Sequence, residues 1–326
     1  MNVKNLLRIL LPLALAAGIL WWMYRGMDWN ALTEALQHDM RWGWMLASLP
    51  FGILAQVLRA LRWRQLLRPL GEHPRLSTAV NAVFLSYGSS LVIPRVGEVL
   101  RCGVLKRYDG VSFSRSLGTV VTERVVDMSL MLLLSIVTFL TQIPVFVKVF
   151  ESTGVSLGSF LGQFTNSGYI VTAVCVLVII ITGWLLVRRY SIMTRTRSVA
   201  NELVQGLMSV RHVDGIGLFG AYSIGIWLSY YLHFYITFMC FDATAGLGST
   251  AGLVAFVIGT YAVLVPTPNG AGPWHFAVKT VLMLYGVPGD TGAMFVLIVH
   301  TIQTALVALL GLGASTALAA TRKLEH

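Results

Sequence analysis

The stretch Pro94-Arg95-Val96-Gly97-Glu98-Val99-Leu100-Arg101 and the later stretch Thr122-Glu123-Arg124-Val125-Val126-Asp127 place charged side chains between and inside long apolar runs. A charged side chain at the centre of a bilayer costs about 2.5–3.5 kcal/mol on insertion scales. Such side chains therefore face a polar cavity or pair with one another. We interpret the rest of the chain as a scaffold that builds a cavity around six ionisable residues, namely Arg95, Glu98, Arg101, Glu123, Arg124 and Asp127.

The composition indicates an all-α polytopic membrane protein. The 326 residues are 56% hydrophobic and only 12% charged, whereas a soluble domain carries about 25% charged residues. Apolar runs of about 20 residues, the length of a membrane-spanning helix, recur along the whole chain. The net charge of +10 comes from basic residues that flank these runs. This distribution is typical of loops held near anionic lipid and argues against a nucleic-acid partner.

The apolar runs predict about six full spans. We expect the protein to lie in the inner membrane of the cell, with both termini in the cytoplasm. Basic residues before the first span and after the last set this orientation. Arginines that alternate with Leu and Trp, from Arg59 through Arg62 to Arg68, predict a helix end at the level of the lipid headgroups. The predicted spans are residues 6–23, 42–58, 117–142, 169–187, 216–240 and 290–319, and an amphipathic surface helix is predicted at 191–212.

Two further segments predict re-entrant hairpins. Residues 76–93 are apolar, but the following segment 97–105 is too short and too polar to cross a membrane. A hairpin that enters from the cytoplasm and turns at Ile93–Gly97, with Pro94 and Gly97 shaping the backbone, satisfies both facts. Irregular backbone at that depth requires a surrounding of protein or water.

The second hairpin repeats this pattern from the opposite side of the membrane. Residues 247–265 are apolar, and a break rich in Pro and Gly precedes the short arm 274–285. The backbone of this break depends on Pro268, Gly270 and Gly272. Interrupted apolar segments at matching positions of two halves point to an inverted repeat, here residues 42–142 and 216–319. Two unrelated hairpins are the alternative.

Four motifs together resemble the flippase-like membrane domain of lysylphosphatidylglycerol synthases. They are Arg62-Trp63-Arg64-Gln65-Leu66-Leu67, the stretch from Pro94 to Arg101, Glu123-Arg124-Val125-Val126-Asp127 and Pro268-Asn269-Gly270-Ala271-Gly272. The resemblance covers nearly the whole chain and implies one integral membrane domain over residues 1–323. Asn269-Gly270 and Trp274-His275 stand where family members often carry Gly-Gly and an acidic residue.

Some members of that family continue into a soluble aminoacyl transferase. The sequence here ends after the last predicted span, so we expect a stand-alone membrane domain without lysyl transfer. The final residues Leu324-Glu325-His326 are typical of the start of an expression tag.

The charged residues of the first hairpin suit a phospholipid headgroup. Arg95, Arg101 and Arg124 offer bidentate guanidinium contacts to phosphate, and the helix that starts at Gly97 aims free N–H groups at an anion. Three roles fit Glu98: it compensates the helix dipole, pairs with Arg101, or contacts a headgroup amine.

The remaining candidate substrate-binding residues allow two interpretations. Glu123 and Asp127 either neutralise the arginines or receive a cationic headgroup, and the second hairpin adds Asn269, His275 and Lys279. The alternative to substrate contact is a buried salt-bridge network that locks the two hairpins together. We expect His233 and His300 to be hydrogen-bonded packing residues.

These residues predict a flippase or transporter for an anionic or aminoacylated phospholipid, or for a lipid-linked substrate. We predict no catalytic residue, metal or cofactor, because the sequence lacks a nucleophile motif, a metal motif and a nucleotide-binding loop. The expected partners are membrane lipids, with a second copy of the chain or a lipid-synthesising enzyme as further possibilities. Two alternatives are a non-transporting lipid-binding membrane protein and an interfacial lipid-modifying enzyme that uses Glu98 or Glu123 as its acid or base.

Overall fold

The structure is a computed structural model and describes residues 3–93, 96–142, 202, 204–206, 208–265 and 267–321. Every regular element in these ranges is helical, so the all-α class is confirmed. The helices are α1 (Val3–Tyr24), α2 (Trp29–Glu34), α3 (Trp42–Leu67), α4 (Leu76–Ser90), α5 (Val96–Asp109), α6 (Phe113–Thr141), α7 (Ile216–Tyr235), α8 (Asp242–Ala245), α9 (Gly248–Ala262), α10 (Pro273–Leu284) and α11 (Gly289–Ala320).

Three of the described helices are long and apolar enough to cross a membrane. They lie at Trp42–Leu70, Phe113–Thr141 and Gly289–Ala320, and their length and composition agree with the predicted membrane protein. The predicted span 169–187, most of the predicted surface helix at 191–212 and residues 324–326 fall outside the described residues. The number of six full spans therefore stays a prediction.

The first predicted hairpin consists of α4 and α5, which pack against each other. A Cβ atom at Gly97 would overlap the carbonyl oxygen of Ser86, so only glycine lets the start of α5 come this close to α4. Pro94 and Arg95 lie outside the described residues. The chain reversal is confirmed, whereas its re-entry into the membrane stays a prediction. The returning arm is longer than the predicted 97–105, because α5 continues to Asp109.

The second predicted hairpin consists of α9 and α10, which also pack together. A 3₁₀ turn at Pro268–Gly270 separates them. Three residues of the break have left-handed backbone, with φ values of 50° at Asn269, 72° at Gly270 and 88° at Gly272. Glycine and asparagine are the residues that tolerate this region best. The sequence motif therefore matches the backbone that the break requires.

Three helix pairings follow a two-fold pattern. Helix α3 packs along α7, α4 against α11, and α6 against α9. Exchanging α3, α4, α5 and α6 for α7, α9, α10 and α11 leaves these pairings unchanged, as a two-fold repeat requires. The pattern is compatible with the inverted repeat of residues 42–142 and 216–319, which stays a prediction.

Two apolar clusters fill the core. One contains Phe234, Phe238 and Phe295 and joins α7, α9, α10 and α11. The other contains Trp63 and Leu105 and joins α3, α4 and α5. The second cluster borders the charged residues described below, because the Trp63 ring lies 4.5 Å from the guanidinium carbon of Arg101.

The close approach of α4 and α5 predicts that Gly97→Ala destabilises the protein. The added methyl group must displace the backbone at Ser86, and overpacking of this kind costs about 1–3 kcal/mol. Chemical unfolding in detergent, followed by circular dichroism, measures the change. The control is Gly103→Ala on the same helix, where the added Cβ meets open space. We expect the control to be neutral or stabilising, since alanine is the better helix former, and equal losses in both variants would contradict the prediction.

Candidate functional site

Two arginines of α3 point into the protein. Arg59 and Arg62 are three residues apart, so they share a helix face, and they are 4% and 0% exposed. The prediction that this helix end lies at the level of the lipid headgroups stays a prediction. The face of α3 that carries Arg59 and Arg62 packs against α6, which supplies carboxylates, whereas Arg68 at the end of the helix is exposed.

Asp127 on α6 binds both of these arginines. Its Oδ2 lies 2.6 Å from Nη1 of Arg59, and its Oδ1 lies 2.7 Å from Nη2 of Arg62. Glu123 lies one turn earlier on the same face. Its Oε2 lies 2.7 Å from Nη2 of Arg101 on α5, and its Oε1 lies 3.5 Å from Nη2 of Arg62. We call these five residues the buried charge cluster.

The buried charge cluster carries unequal charge. It contains three guanidinium groups and two carboxylates, which leaves a net charge of +1 among the described residues. The Nε atoms of Arg59, Arg62 and Arg101 are buried and have no hydrogen-bond partner in the described part of the chain. The cluster thus offers positive charge and spare N–H donors, which is what an anion requires.

Polar and aromatic side chains complete the walls of the buried charge cluster. Arg62 donates from Nη1 to Oγ of Ser223 on α7 at 3.2 Å. The ring of Tyr230 lies 6.0 Å from the guanidinium carbon of Arg59, and its hydroxyl donates to the hydroxyl of Tyr87 at 2.8 Å. Helix α7 therefore closes the side of the cluster opposite to α6 with neutral groups.

A second ion pair joins α5 and α6 closer to the protein surface. Nε of Arg124 lies 2.6 Å from Oε1 of Glu98, and the two side chains are 40% and 34% exposed. The candidate pairing of Glu98 with Arg101 is therefore wrong, because Arg101 turns inward to Glu123. Neighbouring residues of a helix point about 100° apart, which explains how Glu123 and Arg124 serve two different pairs.

The break in the second hairpin forms a neutral polar cluster. Asn269 donates from Nδ2 to Oγ1 of Thr304 at 2.6 Å, and Thr304 lies 3.4 Å from Nδ1 of His300. His300 donates from Nε2 to the carbonyl oxygen of Asn269 at 3.1 Å, which closes a ring of three hydrogen bonds. His300 is hydrogen-bonded as expected. His233 is too, because its Nδ1 donates to the carbonyl oxygen of Ser48 at 2.8 Å.

The other candidate residues of the second hairpin lie on α10. His275 is buried with its ring centroid 4.3 Å from that of His300, and its Nδ1 accepts from the backbone N–H of Gly272 at 3.3 Å. Lys279 is half-buried beside the start of α11, where its side chain lies against Gly292.

The two sets of candidate residues stay apart. Within the described ranges, the ion pairs of the first set connect α6 to α3 and to α5, and no residue of the second hairpin takes part. The predicted network that locks the two hairpins together is therefore replaced by one that holds the first hairpin against α3 and α6.

A comparison with protein families matches residues 9–311 to the lysylphosphatidylglycerol synthase TM region. The chain belongs to this family. The match covers most of the chain and confirms the resemblance of its sequence motifs. No solved structure matches the chain.

Two curated relatives extend the comparison to individual proteins of archaea. Glycosyltransferase AglD of Haloferax volcanii is 24% identical over an alignment of 296 residues, and the match covers 82% of this chain and 47% of AglD. A UPF0104 membrane protein of Methanothermobacter thermautotrophicus is 22% identical over an alignment of 299 residues, and the match covers 82% of each chain. This member of the lysylphosphatidylglycerol synthase TM family thus spans about half the length of AglD.

Four members of these clusters are absent from the candidate residues of the sequence analysis. Arg59 and Arg62 belong to the helix end predicted at the lipid headgroups, whereas Ser223 and Thr304 carry no signal of their own. The spacing of Arg59 and Arg62 contained usable information, because arginines three apart on α3 match carboxylates four apart at Glu123 and Asp127. A pair of arginines on one helix and a pair of carboxylates on another can neutralise each other, which is a reason to place both pairs in the interior of the protein.

The double ion pair predicts that Asp127→Asn destabilises this family member strongly. The variant leaves two buried guanidinium groups without their shared carboxylate, and breaking a buried pair in this way costs about 3–5 kcal/mol. Unfolding in detergent again measures the change. The control is Asp242→Asn, because the Arg41–Asp242 ion pair lies at the surface with its aspartate 84% exposed. We expect little change in the control, and an Asp127 variant as stable as the control would contradict the prediction.

Proposed function

We propose that this chain moves an anionic or aminoacylated phospholipid, or a lipid-linked substrate, between the two leaflets of the inner membrane. The observation that carries the proposal is the net positive charge of the buried charge cluster. The family match supports a role in the handling of lipids or glycolipids. In this proposal the chain is multi-pass, has both termini in the cytoplasm and catalyses no chemical reaction.

Unpaired positive charge inside an apolar body favours the binding of an anion. The cost of removing an ion from water is several kcal/mol, and it is repaid only by good partners of opposite sign. Two carboxylates cannot fully neutralise Arg59, Arg62 and Arg101. A phosphate group supplies the missing negative charge together with acceptors for the free Nε–H groups. The headgroup of a phospholipid brings such a phosphate to membrane depth.

The carboxylates make the site reversible. Glu123 and Asp127 hold the arginines while no lipid is bound, and a phosphate competes with them for the same guanidinium groups. A carboxylate released in this way becomes available to the amine of an aminoacylated headgroup. The cluster therefore suits both the anionic and the aminoacylated lipids of the proposal.

The Glu98–Arg124 ion pair lies where a lipid headgroup would pass between α5 and α6. A half-exposed ion pair contributes only about 0–1 kcal/mol, so it opens at small cost. We assign it the role of a gate between the surface and the buried charge cluster.

Glycosyl transfer is a property in the name of AglD, and the chain matches under half of that protein. We assign no glycosyl transfer to this chain. The alternative is a lipid-binding membrane protein that transports no lipid, in which the buried charge cluster would also bind the phosphate. The following experiment distinguishes this alternative from a flippase.

The decisive experiment measures lipid movement in liposomes that contain trace fluorescent phosphatidylglycerol. Dithionite quenches the outer leaflet at once and reaches inner-leaflet probe only when the protein moves it. We compare the wild type with Ser223→Asp, which places a carboxylate beside Nη1 of Arg62 and neutralises the cluster. A hydrogen bond to a charged group contributes about 1.5–3 kcal/mol, so we expect the variant to fold and its transport to fall about tenfold or more.

Ser223→Asn is the matched control, because it changes the size of the side chain in the same way without adding charge. We expect it to retain most of the transport. Loss of transport in both variants would show a steric effect and contradict the role of charge. A wild type that stays at the plateau of empty liposomes for several headgroups would contradict unassisted transport and favour the lipid-binding protein.

A further inference from the structure

A groove of about 580 Å³ opens along α5, and Arg101 of the buried charge cluster is not among its lining residues. It lies between α4, α5 and α11, close to the first residue of α6. Its walls include Leu85 on α4, Phe113 on α6 and Leu318 on α11, and its floor is formed by Val99, Gly103 and Arg107 of α5. No part of the proposed transport mechanism uses this groove so far.

Helix α5 has two faces with different partners. Arg101 and Leu105 are buried against the interior. Val99, Gly103 and Arg107 follow one another at intervals of four residues, so they line the outer face. These eight residue steps extend the groove floor by about 12 Å along the helix axis. A Cβ atom at Gly103 would meet no neighbouring atom within 4 Å, so the groove is open at its middle.

The two ends of the groove floor differ in polarity. Val99 is 52% exposed at the apolar end. Arg107 is exposed at the other end, in the last turn of α5. The nearby Asp109 pairs with Arg75 at 2.7 Å, and Arg107 forms no ion pair with any residue that the structure describes. The groove thus joins an apolar trough to a guanidinium group that is available to a ligand.

We propose that this groove binds one anionic phospholipid, with its phosphate at Arg107 and one acyl chain along Val99, Gly103 and Leu318. A hydrocarbon chain fits the apolar walls, and the exposed charge of Arg107 favours a headgroup with net negative charge. The bilayer that surrounds a protein of this family supplies this ligand. This inference rests on the proposed function, since the groove would bind the substrate lipid before it is transported.

The position of the groove connects it to the buried charge cluster. Arg107 and Arg101 are six residues apart on α5, which is about 9 Å along the axis. Six residue steps turn the helix by about 600°, so the two side chains point about 120° apart around α5. A lipid in the groove therefore lies on a neighbouring face of α5, and its headgroup has a short path around the helix to the cluster.

The test uses photo-crosslinking of the full chain in vesicles. The probe is phosphatidylglycerol with a diazirine in one acyl chain, and the comparison probe is phosphatidylcholine with the same acyl chain. Mass spectrometry of peptides maps the adducts. We expect phosphatidylglycerol adducts on the groove-lining residues of α5 and α11, with labelling about fivefold above phosphatidylcholine, as one basic residue near the surface provides.

Two pairs of variants separate the groove from its surroundings. Gly103→Trp fills the groove and abolishes these adducts, whereas Gly313→Trp, at an open position of α11 outside the groove, retains them. Arg107→Gln removes the preference for phosphatidylglycerol, whereas Lys106→Gln retains most of it. Adducts spread evenly over the exposed helix faces, equal labelling by both lipids, or adducts that survive Gly103→Trp would each overturn the proposal.

Binding and transport are measured separately. Groove adducts in a protein that moves no lipid would overturn the proposed function and leave the binding site standing. Transport without groove adducts would overturn the binding site and leave the proposed function standing.

Discussion

The carboxylate of Asp127 holds two arginines of α3 at once, and the arrangement of the first half depends on it. A guanidinium group buried without a partner is too costly for a protein interior. Arg59 and Arg62 therefore fix the rotation of α3 and its height relative to α6. Glu123, one turn away, binds Arg101 and attaches α5 to the same helix. Three helices are thus oriented by two carboxylates that lie on one face of α6.

In the described part of the second half of the chain, neutral hydrogen bonds instead of ion pairs connect the long helix to its neighbours. His300 and Thr304 are four residues apart on α11, as Glu123 and Asp127 are on α6. They bind Asn269 in the break of the second hairpin through neutral hydrogen bonds. In each half, the long helix after the hairpin binds that hairpin through two polar side chains, Glu123 and Arg124 on α6 and His300 and Thr304 on α11. Of the two clusters, the buried charge cluster is the one with excess positive charge, so its geometry suits an anion.

Much of this arrangement follows from local sequence. The lengths of the apolar runs predict helices, and the breaks at Gly97 and at Gly270 predict both chain reversals, because these features act within a few residues. The spacing of Glu123 and Asp127 places both on one helix face for the same reason. The identity of the site as a cluster of charges in an apolar chain could also be predicted, since each unpaired charge at membrane depth requires compensation.

The choice of ion-pair partners could not be predicted from local sequence. Glu98 and Arg101 are close in the chain, yet each pairs with a residue of α6 instead. Arg62 and Arg59 bind carboxylates that are 61 and 68 residues away. Sequence alone determined which residues are charged, which faces they share and that they must be compensated. Only the tertiary structure decided which charge meets which, because that depends on how three helices rotate and pack against one another.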